Sequence, residues 1–136
     1  MPTRLNPYLS FDGNAREAME FYQRVFGGNL VLSTFGEFGT EGDQADQVMH
    51  AMLETDSGFT LMGSDVPPGM EHAPGNAITV SLSGDDSDEL RGYWNALSEG
   101  GIVSVPLERQ MWGDEFGACA DRFGTPWMVN ISPPRG

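Results

Sequence analysis

Few side chains in this sequence are suited to chemistry. There are two histidines, His50 and His72, and one cysteine, Cys119. His50 stands in an alternating run, residues 48–55, at the same parity as Met52 and Glu54. Imidazole is the side-chain type that changes charge near neutral pH, so His50 is the candidate base, against the competing reading of a half-buried strand histidine. Glu54 shares its face but stands four residues on, about 13 Å away at the usual rise per residue, which argues against a direct dyad. His72 lies in a proline-rich stretch and reads as a loop histidine that could turn inward. Cys119 has only Arg122 as a nearby cation and reads as a buried structural thiol rather than a reactive thiolate. A lone cysteine also excludes an intrachain disulfide and a cysteine-rich zinc site. No Gly-x-Ser-x-Gly elbow, phosphate-cradling loop or dinucleotide fingerprint is present.

A second group of residues suits binding rather than catalysis. The eight methionines and the aromatics (8 Phe, 3 Trp, 3 Tyr) are mostly core, but Met62, Trp112, Phe116 and Met128 could line a cavity. Soft thioethers and aromatic faces hold flat organic ligands well. Trp112 falls in a loop, a lid position. The stretch 110–131 holds Asp-x-Phe-Gly twice, at 114–117 and 121–124. Asp and Gly favour tight turns, so residues 116–120 and 127–131 read as strands of a hairpin closing a sheet edge.

The elements that must position these residues follow from size and pattern. At 136 residues the chain is one domain's worth, and its 18 glycines and nine prolines imply many turns. The net charge of −13 argues against nucleic acid and anionic membranes as partners, and would favour a cationic ligand if it is more than a solubility device. No apolar run spans a bilayer and no signal peptide is visible, so a cytoplasmic location is expected.

Residues 5–11 read as a strand, placed at an edge by Pro7. Asn14 is positioned to cap a helix over Ala15–Phe26, whose Ala18, Phe21, Tyr22, Val25 and Phe26 share one face. Gly27-Gly28 ends it. Strands follow at 30–35, 48–55 and 59–63, with a polar loop at 36–46. Residues 65–75 are a Pro/Gly-rich linker. The plan then repeats: a strand at 76–82, a helix over Ser87–Ser98 with Leu90, Tyr93, Trp94 and Leu97 on its apolar face, Gly100-Gly101, and strands at 102–107, 116–120 and 127–131. Leu5 and Gly27-Gly28 correspond to Ile78 and Gly100-Gly101 at one offset of 73 residues. A duplicated βαβββ unit is the economical explanation. The expected fold is α+β: tandem βαβββ repeats, about 1–65 and 75–136, forming a curled mixed sheet with helices outside and a concave cavity inside.

This plan resembles the vicinal-oxygen-chelate superfamily of glyoxalases, bleomycin- and fosfomycin-resistance proteins and extradiol dioxygenases. Closer motifs are similar to its PhnB-like branch. They are Asn6-Pro7-Tyr8-Leu9-Ser10-Phe11 with Ala15-x-Glu17-Ala18-x-Glu20-Phe21-Tyr22; Val48-Met49-His50-Ala51 with Leu61-Met62-x-Ser64-Asp65; and Trp112-Gly113-Asp114-x-Phe116-Gly117 with Asp121-x-Phe123-Gly124-x-x-Trp127. That branch also carries a 3-demethylubiquinone methyltransferase label. The sequence offers that activity no glycine-rich cofactor loop and no doubly wound pattern, so methyltransferase chemistry is not expected.

The resemblance implies a divalent metal held by His and Glu from four strands. Carried over, the ligand positions fall near Asn6, His50, Asn76 and Met128, and Asn and Met are poor donors to such a metal. His50 is the only plausible ligand, so no metal and no cofactor are expected. The expected ligand-binding residues are Asn6, Tyr8, His50, Met62, Asn76, Trp112, Phe116 and Met128. The expected function is binding or sequestration of a small organic ligand, in the manner that bleomycin-resistance proteins suggest. The alternative is a metal-dependent lyase, isomerase or dioxygenase of the glyoxalase type. Exposed sheet edges, and a superfamily in which a second copy often completes the cavity, lead to a homodimer expectation.

Overall fold

The computed structural model describes residues 3–133 except 43, 68, 74 and 76. The chain divides between residues 74 and 75 into two compact units, each a βαβββ module.

In the first module the helix α1 (Ala15–Phe26) follows β1 (Tyr8–Phe11) and leads into β2 (Asn29–Thr34), β3 (Val48–Glu54) and β4 (Thr60–Asp65). The strand order is β1-β4-β3-β2, with β1 parallel to β4 and the other pairs antiparallel. The apolar stripe of α1 buries Ala18, Met19, Tyr22 and Phe26 over β2, β3 and β4, against Ala51, Leu53 and Leu61. Each large side chain taken from water there contributes about 1.5–3 kcal/mol. Gly63 lets the layers close, because a Cβ there would lie 3.2 Å from the Met19 sulfur.

The capping expectation at Asn14 is corrected: its side chain makes no capping bond. The buried Asp65 carboxylate does this work from fifty residues away. Its Oδ1 accepts from Ala15 N and its Oδ2 from Val48 N, each at 2.9 Å. One side chain thereby fixes the start of both helix and strand, and an anion at a helix N-terminus also complements the macrodipole.

The second module contains β5 (Val80–Gly84), α2 (Ser87–Ser98), β6 (Ile102–Arg109), β7 (Glu115–Ala120) and β8 (Pro126–Ile131). Its order, β5-β8-β7-β6, with β5 parallel to β8, repeats the first. Here the cap is local, Asp86 Oδ1 accepting from Glu89 N at 3.1 Å. Leu90, Trp94 and Leu97 pack α2 over β5, β7 and β8. β7 and β8 are thus the central strands. The hairpin is as expected, but it fills the middle of the sheet rather than closing an edge.

The paired glycines do more than stop helices. A Cβ on Gly28 would sit 2.1 Å from the Glu54 carbonyl oxygen, and one on Gly101 would sit 2.1 Å from that of Ala120. In both modules the chain leaves the helix pressed against the same point of a hairpin. That shared approach, with matching turns at residues 55–59 and 121–125, aligns the two modules residue for residue. The alignment equates Met62 with Met128 and His50 with Phe116. It also shows that β5 starts later than the expected residue 76, and that Asn6 corresponds to Thr79 rather than Asn76. Asn76 itself lies outside the described residues. Among the described residues no helix is long and apolar enough to cross a membrane.

Candidate functional site

Each sheet has one face under its helix and one without, and of the expected binding residues Tyr8, His50, Met62, Phe116 and Met128 fall on the helix-free faces. In the first module Ala51, Leu53, Leu61 and Gly63 face α1, so strand alternation turns His50, Met52, Met62 and Tyr8 the other way. Met62 is flanked in register by Met52 on β3 and by Tyr8 on β1. The rings of Tyr8 and His50 stack at 5.9 Å between centroids, 30° between planes, spanning β4. Three expected residues are therefore brought together, and Met52 joins them unforeseen, although its parity with His50 was the available signal. Asn6 precedes β1 by two residues. Glu54 pairs with Thr60 at the exposed end of the face. His72 is not a free loop side chain: its Nε2 lies 3.1 Å from the Ser10 carbonyl oxygen on β1.

In the second module Gly117 faces Trp94 of α2, which turns Phe116, Ala118, Met128 and Asn130 to the open side. Met128 pairs with Ala118 and Ser81, and Phe116 with Asn130. The β6–β7 turn closes through Gln110 N to the Asp114 carbonyl oxygen at 2.8 Å, with Gly113 at φ +99°. This turn sets Trp112, 64% exposed, beside Phe116 at 6.4 Å between ring centroids. Asp114 accepts from Asn130 Nδ2 at 3.0 Å. Sequence reasoning missed Asn130 and the role of Asp114, because their contact joins separate strands.

Other conspicuous residues are structural. Asp121 is buried, with Oδ1 accepting from Phe123 N and Thr125 N and Oδ2 from Trp127 Nε1 at 2.9 Å. The second Asp-x-Phe-Gly is thus a turn that anchors a core indole. Cys119 is buried, and desolvation, then the Asp121 carboxylate, raises its thiol to about 11. A thiol so held is neutral at physiological pH.

A divalent metal needs several anionic or imidazole donors converging. Among the described residues no three His, Cys, Asp or Glu side chains do so. The carried-over positions supply His50 against a methionine and an amide. This donor set does not fit a catalytic metal.

Tandem βαβββ modules of this topology define the vicinal-oxygen-chelate fold. A solved glyoxylase/bleomycin resistance protein/dioxygenase domain from Frankia sp. EAN1pec shares it at TM-score 0.65 and 13% identity, over 97% of this chain and 98% of that one. Residues 3–130 match the family model described as 3-demethylubiquinone-9 3-methyltransferase, and the chain belongs to that family. Protein YjdN of Escherichia coli K12 is 30% identical over 139 residues, covering 93% of this chain and 94% of that protein. The crystal structure of PA1353 from Pseudomonas aeruginosa matches at 39% identity and TM-score 0.87, over 98% of this chain and all of that one. The family description names an activity, but neither mixed four-stranded sheet here is the doubly wound parallel sheet that cradles a nucleotide cofactor.

Proposed function

We propose that the chain binds a small organic molecule without a metal, on its helix-free sheet faces, in the manner of a bleomycin-resistance protein rather than a glyoxalase enzyme. The supporting observation is the make-up of those faces. Tyr8, His50, Met52 and Met62 cluster on one, and Trp112, Phe116 and Met128 stand on the other. Such surfaces offer area, polarizability and ring stacking, not coordination. His50, stacked on Tyr8, acts here as an aromatic wall with a polar edge.

A thermal-shift screen of aromatic compounds, followed by NMR mapping, tests the reading. Hits should move resonances of Tyr8, His50 and Met62 or of Trp112, Phe116 and Met128, and Tyr8→Ala or Phe116→Ala should weaken them by about tenfold. Hits mapping only to helix surfaces would sink it.

The same reading includes a homodimer. β6 is exposed along most of its length, with Ile102 at 75%, and residues 102–107 carry no charge in a chain of net −13. A second copy can approach there without like-charge repulsion. Sedimentation showing only monomer at micromolar concentration would contradict it.

A further inference from the structure

We infer that the helix-free face of the second module is a receptor for an organic cation, an ammonium or amidinium on an aromatic body, seated against Asp114 between Trp112 and Phe116. This rests on the binding reading above and adds the charge of the ligand.

Three observations carry it. Trp112, Asp114 and Phe116 alternate along one strand and its turn. The Trp112 and Phe116 rings are tilted by 59° at 6.4 Å, an open aromatic corner rather than a closed stack. The faces of such rings attract cations through their quadrupoles.

Next, the corner has carboxylates on two sides. Asp114 is half-buried and held by Asn130, which lies directly opposite Phe116 on β8. On the other flank Phe116 pairs in register with Glu108 of β6. Directly paired residues share a sheet face, so Phe116 stands between an amide that positions one carboxylate and a strand neighbour that supplies a second.

Finally, among the described residues no base is paired beside them in the register. Arg109, next to Glu108, pairs with Glu115, and the Glu115 carboxylate meets Arg91 of α2. The arginines are thus turned to the helix side. Phe116, Ala118, Met128 and Asn130 share the open face with the two acids. Aromatic surface, a partly desolvated carboxylate and a net negative field together select positive charge over a neutral compound of the same shape.

The test compares benzamidine with benzamide, a cation and its near-isosteric neutral amide, on the full chain. Benzamidine should bind at least about tenfold more tightly, the scale of one charge-assisted contact. It should shift the Trp112 indole N–H and the Asn130 side-chain amide. Asp114→Asn, which keeps an acceptor for Asn130 and so spares the turn, should abolish the preference. Glu108→Gln at the exposed flank should reduce it only in part, and raised salt should weaken benzamidine alone.

Equal affinities, or a preference that survives Asp114→Asn, would overturn the cation receptor while leaving the binding function standing. If neither probe binds at millimolar concentration, and the wider compound screen also gives no hit on either face, both readings fall together. If neither probe binds but neutral aromatics do, only the cation receptor falls.

Discussion

The two modules are the same backbone device carrying different surfaces. Both route the chain from a helix through two glycines against the bend of a hairpin, and both close the sheet with a parallel outer strand. They differ on the faces turned away from the helices. His50 of the first corresponds to Phe116 of the second, and Tyr8 corresponds to Ser81. Helix coverage differs as well: α1 packs over β2, β3 and β4, whereas α2 lies mainly over β5, β7 and β8. The modules share the points where backbone touches backbone and differ on their helix-free faces. The first carries an imidazole–phenol wall and the second an indole–phenyl corner with acids.

The largest effects should come from the shared points, with Gly28 carrying the added strain of φ +103°. Gly28→Ala and Gly101→Ala each drive a Cβ to 2.1 Å from a carbonyl oxygen. Each should cost about 4 kcal/mol or more, read by chemical denaturation, because rigid backbone must move. If one is tolerated, the modules are not equivalent there.

The matching turns should behave asymmetrically. Asp121→Ala strips the acceptor from two backbone N–H groups and the Trp127 indole, and should cost about 3–5 kcal/mol. Its counterpart Thr55 offers a single neutral hydroxyl, which accepts from Phe59 N at 2.9 Å, so Thr55→Ala should cost about 1 kcal/mol. Similar costs would show that the buried carboxylate confers nothing the hydroxyl does not.

A smaller effect separates Cys119 from Leu53, its counterpart in the first module. The folded thiol is raised from 9.0 to about 11, while the unfolded chain ionises near the ordinary value. This contribution is therefore whole below pH 9, falls as pH rises, and is gone by about 11. The loss is about 2–3 kcal/mol. Stability measured from pH 8 to 11 should decline by that amount, and Cys119→Ala should remove that part of the slope. An unchanged slope would mean that the thiol ionises freely.

Sequence was most informative where periodicity and punctuation coincide. Both helices run as expected, since an amphipathic stripe ends on paired glycines. The first and fifth strands start late for a physical reason. A lone parallel partner defines each, and β1 begins only after Pro7, whose carbonyl already accepts from Met62 N. β6 runs on to Arg109 because Glu108 and Arg109 pair with Phe116 and Glu115, and such polar ladder residues carry no apolar signal. The alternation of residues 48–55 put His50 and Met52 on one face correctly. The Asp65 clamp and the Asp114–Asn130 contact were illegible, because each joins residues whose types suggest only local turns. Alternation says which way a side chain points, but not which distant backbone it will meet.

The central claim is that these faces hold organic ligands and not a metal ion. Elemental analysis of protein purified without chelator, alongside thermal melts with added Zn, Mn, Ni and Fe, tests it most directly. Substoichiometric metal and melting shifts near zero are expected. Stoichiometric metal with a shift of several degrees, lost in His50→Ala, would contradict the account.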